Sequence, residues 1–423
     1  MSSLKPIVVF EHSRLSIGEQ EFEKSHFNAL VKFNDIHKRK YFEVGYRKVT
    51  FKSYVGVVQV GNRVIEILPK ADRSDDEGDA TRRKWQHALL YMLKTAGYIK
   101  LNQLNTADQH SSHSSLMDIY LHAFLDEVRQ LIHMGLVKKY KRVRNNYTSL
   151  RGRLLIEKQL QENLVHKERF YSEHTVYNRD HLLNRLLKTA LDIIRNTSLN
   201  SGIKADAAQS LLNFEDIDVW KGNTAELQRV QMDRKSMPYE HALTLAKMII
   251  MHYNPDMRSG EQHVMALLFD MNKLFEKFIS RMLRRAEDHF KAYDLGVVAQ
   301  QPVIIWGQKT IRPDIMVTFR KANDKDHTYV IIDTKWKMTD PGSPSDADLK
   351  QMFTYNVQLN SDRAVLLYPR GEQKNAGGGL FAKSLRPVDH PHSCEMYFLD
   401  LFDTDGDKIS TAGIHAFLEH LVL

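Results

Sequence analysis

An α+β multidomain fold is predicted by three features of the sequence: its length, its β-rich beginning, and the mixed helices and strands near its end. At 423 residues the chain exceeds what one hydrophobic core normally supports, so two or three domains are expected. We predict a small β-rich domain over 1–75, a mainly α-helical middle region over 76–258, and a C-terminal α/β domain over 259–423.

The bulk composition is that of a folded protein. Hydrophobic residues make up 42% and charged residues 26%, which argues against extensive disorder. The formal net charge of +8 suits nucleic-acid binding but also a plain solvated surface. The single cysteine, Cys394, excludes an internal disulfide, and no apolar run reaches the ~20 residues that cross a bilayer. We therefore expect a cytoplasmic protein outside the membrane.

The β-rich beginning contains two runs of β-branched and apolar residues, 54–60 and 64–68, on either side of Gly61-Asn62. Two such runs around a turn-forming dipeptide predict a hairpin. The acidic stretch 71–80 has no large apolar side chain, so we interpret it as a linker or exposed loop at a domain boundary.

Helical spacing of apolar residues dominates the middle region. Here His110 and His113 could suggest a metal site, but no acidic residue or cysteine stands at ligand spacing, so a flexible loop is the better interpretation. The basic and aromatic segment 138–144 suits phosphate contact by a strand, with a solvated surface as an equal alternative.

The last third of the chain shows a different pattern, with the order α-β-β-β-α-β. This order predicts a compact mixed sheet flanked by helices. The predicted elements are a helix over about 262–288, strands over 302–306, 311–319 and 329–333, a helix over about 348–356, and a strand over 364–368.

Two carboxylates and a lysine stand at the strand ends of this region. Asp314 is placed in one strand, and Asp333 and Lys335 end the next, where their spacing of two puts both side chains on one face. Mg²⁺ is usually held by one or two protein carboxylates together with water and substrate phosphate. The pattern therefore predicts a Mg²⁺ site, with Mn²⁺ as an alternative metal, that activates water while Lys335 orients it or stabilises the transition state.

The same residues carry a family resemblance. Pro313-Asp314, followed nineteen residues later by Asp333-Thr334-Lys335, resembles the signature of the PD-(D/E)xK nuclease superfamily. The resemblance implies that the C-terminal α/β domain is restriction-endonuclease-like and that the chain is a Mg²⁺-dependent endodeoxyribonuclease.

Three further residues are candidates for the same site. Gln351 and Tyr355 resemble the Gln-xxx-Tyr motif of the RecB-like branch, which lies near the metal and the DNA. An ordinary amphipathic helix is the alternative for this pair. Glu276, on the preceding helix, is a candidate metal ligand, directly or through water, and a solvent-facing side chain is the equal alternative.

A closer resemblance is to the McrC family, the nuclease subunit of McrBC-type, methylcytosine-directed restriction systems. The likeness extends over roughly residues 145 to 370 and is much weaker before 138. It is carried by FDMN-x-LFE at 269–276, RPDI at 312–315, IDTKWK at 332–337, LRGR at 150–153 and NRLLK at 184–188.

This resemblance implies a type IV restriction subunit that cleaves double-stranded DNA with an McrB-like AAA+ GTPase ring and stimulates its GTP hydrolysis. No Gly-xxxx-Gly-Lys-[Ser/Thr] loop occurs in the sequence, so this chain alone is not expected to bind a nucleotide. The region before 261 would dock on the ring, with Arg151 and Arg153 as candidate contacts. A pair of surface arginines in a turn around Gly152 is the alternative.

Two other functions are left open by the sequence. One is a stand-alone RecB-like nuclease in DNA repair or mobile-element processing, for which the absence of a neighbouring AAA+ GTPase would speak. The other is a non-catalytic adaptor that only activates a motor, which predicts a broken site, whereas Asp314, Asp333 and Lys335 are all present.

Overall fold

The structure is a computed structural model of the whole chain. The residues that it describes are 5–71, 78–99, 115–223, 226–227, 232–254, 263–320, 326–337, 344–371, 379–381, 391–403 and 408–422. His110, His113 and most of the acidic stretch 71–80 lie outside them.

Among the described residues the structure has ten α-helices. They are α1 (Lys24–Ile36), α2 (Asp79–Thr95), α3 (Leu116–Met134), α4 (Ile156–Glu162), α5 (Leu182–Thr197), α6 (Ser201–Leu211), α7 (Glu240–Met251), α8 (Met271–Ala286), α9 (Asp346–Leu359) and α10 (Ala412–Val422).

The strands of the described residues form five sheets. They are β1 (Ile7–Phe10), β2 (Arg14–Ser16), β3 (Phe42–Gly45), β4 (Lys48–Phe51), β5 (Tyr54–Val60), β6 (Arg63–Leu68), β7 (Lys139–Tyr147), β8 (Arg153–Leu154), β9 (Phe170–Asn178), β10 (Tyr253–Asn254), β11 (Val264–Asp270), β12 (Gly296–Ala299), β13 (Val303–Trp306), β14 (Lys309–Ile311), β15 (Ile315–Phe319), β16 (Thr328–Thr334), β17 (Arg363–Pro369), β18 (Gly379–Leu380) and β19 (Ser393–Leu399).

The chain divides into two compact units, each built from separate stretches of sequence. Unit 1 comprises Met1–Leu4, Gln59–Asn62 and Gln103–Leu267, and unit 2 comprises Lys5–Val58, Arg63–Asn102 and Leu268–Leu423. This division differs from the predicted succession of three domains, because most of the β-rich beginning belongs to the same unit as the C-terminal region. The boundaries 1–75, 76–258 and 259–423 stay a prediction.

Unit 2 contains a six-stranded mixed sheet in the order β12-β15-β16-β17-β19-β18. Strands β12, β15 and β16 are antiparallel neighbours, whereas β17 and β19 run parallel to β16, so helix α9 serves as the crossover between β16 and β17. One face of the sheet is buried against α9 in an apolar cluster. The cluster consists of Ile331, Met352, Tyr355, Ala364, Leu366, Tyr368, Cys394, Met396 and Phe398.

The helix predicted over 262–288 is wrong in its first part. Residues Val264–Asp270 form strand β11, and the helix α8 begins only at Met271, where the Asp270 side chain accepts hydrogen bonds from the backbone of Asn272 and Lys273. The run from Val264 to Phe269 is apolar throughout, as in a strand buried on both faces, and a short apolar run of this kind fits a strand as well as a helix.

The predicted strands of the C-terminal region also need two corrections. The first strand of the sheet is β12, which was not predicted, whereas the predicted strand 302–306 became β13 of a separate two-stranded hairpin with β14. The predicted strand 311–319 is interrupted at Arg312-Pro313-Asp314, because proline has no backbone N–H to donate to a neighbouring strand. The strands β16 and β17 and the helix α9 confirm the other predictions.

The β-rich beginning is confirmed in outline. In unit 2, β1 pairs in parallel with β6, and β6 is a neighbour of β5 in the same sheet, which the turn at Gly61-Asn62 explains. A second, three-stranded sheet, β2-β4-β3, packs with helix α1, whose buried Asn34 bonds the backbone of Tyr41 and Phe42.

Unit 1 is mainly helical, as predicted, with α3, α5, α6 and α7 around a buried leucine-rich core. It also contains an antiparallel sheet, β7-β9-β8, in which β7 pairs with β9 from Lys139↔Asn178 to Tyr147↔Phe170. The strand predicted from the basic and aromatic segment 138–144 is therefore confirmed as part of β7. Within the described part of the chain, no helix is long and apolar enough to cross a membrane.

Candidate active site

The candidate site lies where the parallel strands β16 and β17 of unit 2 end. Asp333 is 2% exposed, and its Oδ2 lies 2.7 Å from the Nζ of Lys335. The backbone N–H of Lys335 donates to the carbonyl of Leu367, so the lysine is fixed at the strand end. The two side chains therefore lie on the same side of the strand and in contact, as their spacing of two predicts.

Asp314 reaches the same strand end from the segment that precedes β15. Its Oδ2 accepts two hydrogen bonds from Thr334, at 2.9 Å from the backbone N and 3.0 Å from Oγ1. Because Thr334 directly follows Asp333, these bonds bring the two aspartates together. Burial raises the pKa of Asp314, and the hydrogen bonds from Thr334 oppose this rise.

A third aspartate, Asp348 in the first turn of α9, also belongs to this cluster. Its Oδ1 lies 3.1 Å from the Nζ of Lys335 and its Oδ2 lies 2.8 Å from the Nζ of Lys337. Burial works to raise the pKa of Asp348, but the hydrogen bonds from Lys337, Ser345 and Lys335 outweigh it and lower the pKa to about 2. Lys335 therefore bridges two carboxylates, Asp333 and Asp348.

Gln351 and Tyr355 both point from α9 into the site. The side-chain amide of Gln351 donates to Asp333 Oδ1 and to the Tyr355 hydroxyl, each at 3.0 Å. The Tyr355 hydroxyl in turn donates to the carbonyl of Arg312 at 3.2 Å, and burial raises its pKa. Their spacing of four puts both side chains on one face of the helix, from which they contact β16 and the segment before β15.

Glu276 approaches the cluster from helix α8. Its Oε1 accepts a hydrogen bond of 2.5 Å from the side chain of Gln300, whose backbone N–H donates to the carbonyl of Asp314. Burial, followed by the negative charge of Asp314, raises the pKa of Glu276 to about 7. The negative charge of Asp314 therefore affects the protonation of Glu276. The role of Glu276 as a metal ligand stays a prediction.

The site concentrates negative charge in a buried place. Burial raises the pKa of Asp333 to about 6, the charge of Asp314 adds to this rise, and the Lys335 ammonium opposes it. A bound cation would relieve the repulsion between the two aspartates. Two carboxylates are also the protein ligands that Mg²⁺ commonly uses, so Asp314 and Asp333 fit such an ion. Among the described residues, no three His, Cys, Asp or Glu side chains are arranged as a metal-binding group.

One known family model matches the part of the chain that contains this site. The family model of the McrBC 5-methylcytosine restriction system component matches residues 49–369, which is more than half of the chain. The chain belongs to this McrBC family. The matched segment includes every residue of the candidate site, and the predicted resemblance to McrC is confirmed.

Solved structures of McrBC assemblies share the fold. One chain of a half-complex from the tetradecameric assembly of Thermococcus gammatolerans McrB AAA+ hexamers with bound McrC is 21% identical, with a TM-score of 0.64, and the match covers 99% of this chain and 100% of that one. A chain of the Thermococcus gammatolerans McrBC complex is 22% identical, with a TM-score of 0.50 and coverage of 67% and 88%. No curated protein matches the sequence.

The two arginines predicted to contact the AAA+ partner lie on the surface of unit 1. Arg153 begins β8, opposite Glu173 of β9, and the Arg151 guanidinium lies 4.8 Å from the centre of the Tyr147 ring. Gly152 between them has a φ of +71°, and a Cβ there would lie 2.5 Å from the carbonyl oxygen of Glu173. Only glycine fits this turn, and both arginines remain exposed.

Two residues of the site were not found from the sequence. Asp348 stands three residues after Ser345, a spacing typical of a helix start, so the sequence identifies it as a first-turn residue but not as a partner of Lys335. Gln300 has no signal of its own. Its position depends on a left-handed backbone conformation with φ at 55° and on contacts with distant residues.

Proposed function

We propose that this chain is the DNA endonuclease subunit of a GTP-dependent, McrBC-like restriction complex that recognises modified DNA. The observation that carries the proposal is the Lys335 ammonium held between Asp333 and Asp348, with Asp314 beside it, at the ends of adjacent sheet strands. Helix α8, the antiparallel strands β12, β15 and β16, the crossover helix α9 and the parallel strand β17 support a PD-(D/E)xK-like domain.

The proposed reaction is hydrolysis of a phosphodiester bond. Asp314 and Asp333, with Glu276 as a further candidate, would hold Mg²⁺ or Mn²⁺. When bound, the ion supplies Lewis-acid polarisation of the phosphate and lowers the pKa of coordinated water. Lys335 would offset negative charge that develops on the phosphate in the transition state. Its ammonium keeps its proton, because Asp333 and Asp348 raise its pKa although burial works against them.

The other side chains hold these groups in place. Gln351 fixes the orientation of Asp333 through Oδ1, and Thr334 fixes Asp314 through Oδ2. The catalytic carboxylates are thus hydrogen-bonded before substrate binds, which reduces the reorganisation that the reaction requires.

The proposed partners are double-stranded DNA and an McrB-like AAA+ GTPase ring. Membership of the McrBC family and the shared fold with chains of McrB–McrC assemblies support the second partner. Stimulation of GTP hydrolysis would be the task of the region before residue 261, with Arg151 and Arg153 as candidate contacts.

The first test is cleavage of methylated plasmid DNA with Mg²⁺, with and without GTP and an McrB-like protein from the same genome. We expect cleavage only in the complete mixture and a loss of at least about 100-fold in Asp333→Ala and Lys335→Ala. Matched controls are Asp288→Ala and Lys291→Ala, an exposed ion pair of the same unit.

Stimulated GTP hydrolysis is measured in parallel, and the two site variants should keep it. Cleavage by this chain without a partner would favour the stand-alone nuclease. Full activity of Asp333→Ala and Lys335→Ala would refute the site, and stimulated GTP hydrolysis without any cleavage by the wild type would favour the adaptor.

A further inference from the structure

The hairpin of β13 and β14 exposes apolar side chains that its own fold does not bury. Its two strands form a sheet by themselves, joined by a turn at Gly307, whose φ is +58°. The side chains of Ile304 and Trp306 are 70% and 77% exposed. An isolated two-stranded hairpin is marginally stable in water, and exposed apolar side chains at its tip add nothing to a core. We therefore interpret these side chains as a binding surface.

Both ends of the hairpin are anchored on the candidate active site. Before β13, Gln300 bonds the Glu276 side chain and the carbonyl of Asp314. After β14, the carbonyl of Arg312 accepts a hydrogen bond from the Tyr355 hydroxyl. The hairpin is therefore held at its base while its tip remains in solvent, next to the place where a scissile phosphate would bind.

The charge of the hairpin matches a polyanion. The sequence from 295 to 313 has no acidic residue, and Lys309 and Arg312 are exposed. Lys309 is the cross-strand partner of Trp306, so the ammonium and the indole ring leave the same face of the hairpin. An aromatic ring beside a cation is the combination that proteins use against a base and its phosphate.

We infer that this hairpin binds the DNA beside the cleavage position, with Trp306 against a base or sugar and with Lys309 and Arg312 on flanking phosphates. The inference rests on the proposed function. A second copy of the chain is the weaker occupant, because the few exposed apolar side chains fall far short of the roughly 20 residues that a standard protein interface contributes per partner.

The experiment measures DNA affinity by fluorescence anisotropy, with labelled duplex in EDTA, for the full chain alone and with the AAA+ partner. Loss of one stacking contact should weaken binding by roughly 10- to 100-fold in Trp306→Ala, whereas Trp306→Phe should keep most of the affinity. Lys309→Ala should lower the salt dependence by about one counterion. The control is Tyr46→Ala, which removes an aromatic side chain that is 89% exposed elsewhere in unit 2.

The outcomes separate this inference from the proposed function. Weaker binding by Trp306→Ala from a wild type that binds but does not cleave DNA would support the hairpin and refute the nuclease. Equal affinities of Trp306→Ala and wild type, or no DNA binding by the wild type, would overturn the inference. A change in sedimentation of Trp306→Ala at unchanged DNA affinity would also overturn it, in favour of a second copy.

Discussion

Replacement of Glu11 by glutamine should remove a large part of the pH dependence of stability. Glu11 is 5% exposed, and its Oε1 accepts hydrogen bonds from the Trp336 indole at 2.6 Å and from the backbone of Lys70 at 3.1 Å. Burial raises the pKa of Glu11 from 4.5 to about 7, although both hydrogen bonds oppose the rise. Glu11→Gln keeps an acceptor for Trp336 but has no charge to bury.

The sign and size of the effect follow from this pKa. Because the folded protein holds the Glu11 proton more tightly than the unfolded chain, the folded state binds more protons between pH 4.5 and pH 7. The free energy of unfolding therefore falls as pH rises through this window, and the loss is complete above pH 7. At about 1.4 kcal/mol per unit of pKa, the contribution of Glu11 is about 3 kcal/mol.

The assay is urea unfolding followed by tryptophan fluorescence at pH values between 5 and 8. Over this range the wild type should lose about 2.5 kcal/mol more than Glu11→Gln, because the rest of the contribution is lost outside it. Other buried carboxylates act in both proteins and cancel in the comparison. Glu43→Gln, at an exposed position of β3, should follow the wild type. Identical pH profiles for wild type and Glu11→Gln would refute the argument that burial controls this carboxylate.

Two further predictions test local geometry. Asp348→Asn leaves Lys335 with Asp333 as its only ion-pair partner in the described residues, so single-turnover cleavage should slow by about 10- to 100-fold at unchanged DNA affinity; a loss of affinity instead would contradict a positioning role. Gly152→Ala should lower the free energy of unfolding by about 1 to 3 kcal/mol, because its Cβ would lie 2.5 Å from a backbone oxygen. The control is Gly379→Ala, where nothing lies within 4 Å of the added Cβ, and equal melting temperatures of the two variants would be inconsistent with strain at Gly152.

The placement of the candidate site residues could be predicted from the sequence because it is local. Asp333 and Lys335 are two apart in a strand whose preceding residues, Val330–Ile332, are continuously apolar and are all buried. Alternation along an extended strand is enough to place both side chains on one face. Gln351 and Tyr355 follow in the same way from helical spacing.

The parts that were missed depend on contacts that no local pattern encodes. The apolar run from 264 to 269 fits a helix as well as a strand. It forms a strand because it pairs with other strands of a sheet, which the local sequence does not indicate. Gln300 joins Glu276 to Asp314 only because the chain returns there after helix α8. The association of the first hundred residues with the last 156 is of the same kind, since it joins stretches that are far apart in sequence.

The discontinuity of unit 2 has a consequence for biosynthesis. Residues 103–267, which belong to unit 1, are translated between the second and third stretches of unit 2. Their synthesis delays the third stretch by roughly 10 to 30 seconds at ordinary elongation rates. Before residues 268–423 are synthesised, Glu11 lacks its hydrogen bond from Trp336. Strands β1 to β6 likewise lack the part of their core that the last stretch supplies. A truncated protein that began near residue 259 would lack the first two stretches of unit 2 permanently. Chaperone dependence and poor recovery of such fragments are therefore expected properties of this chain.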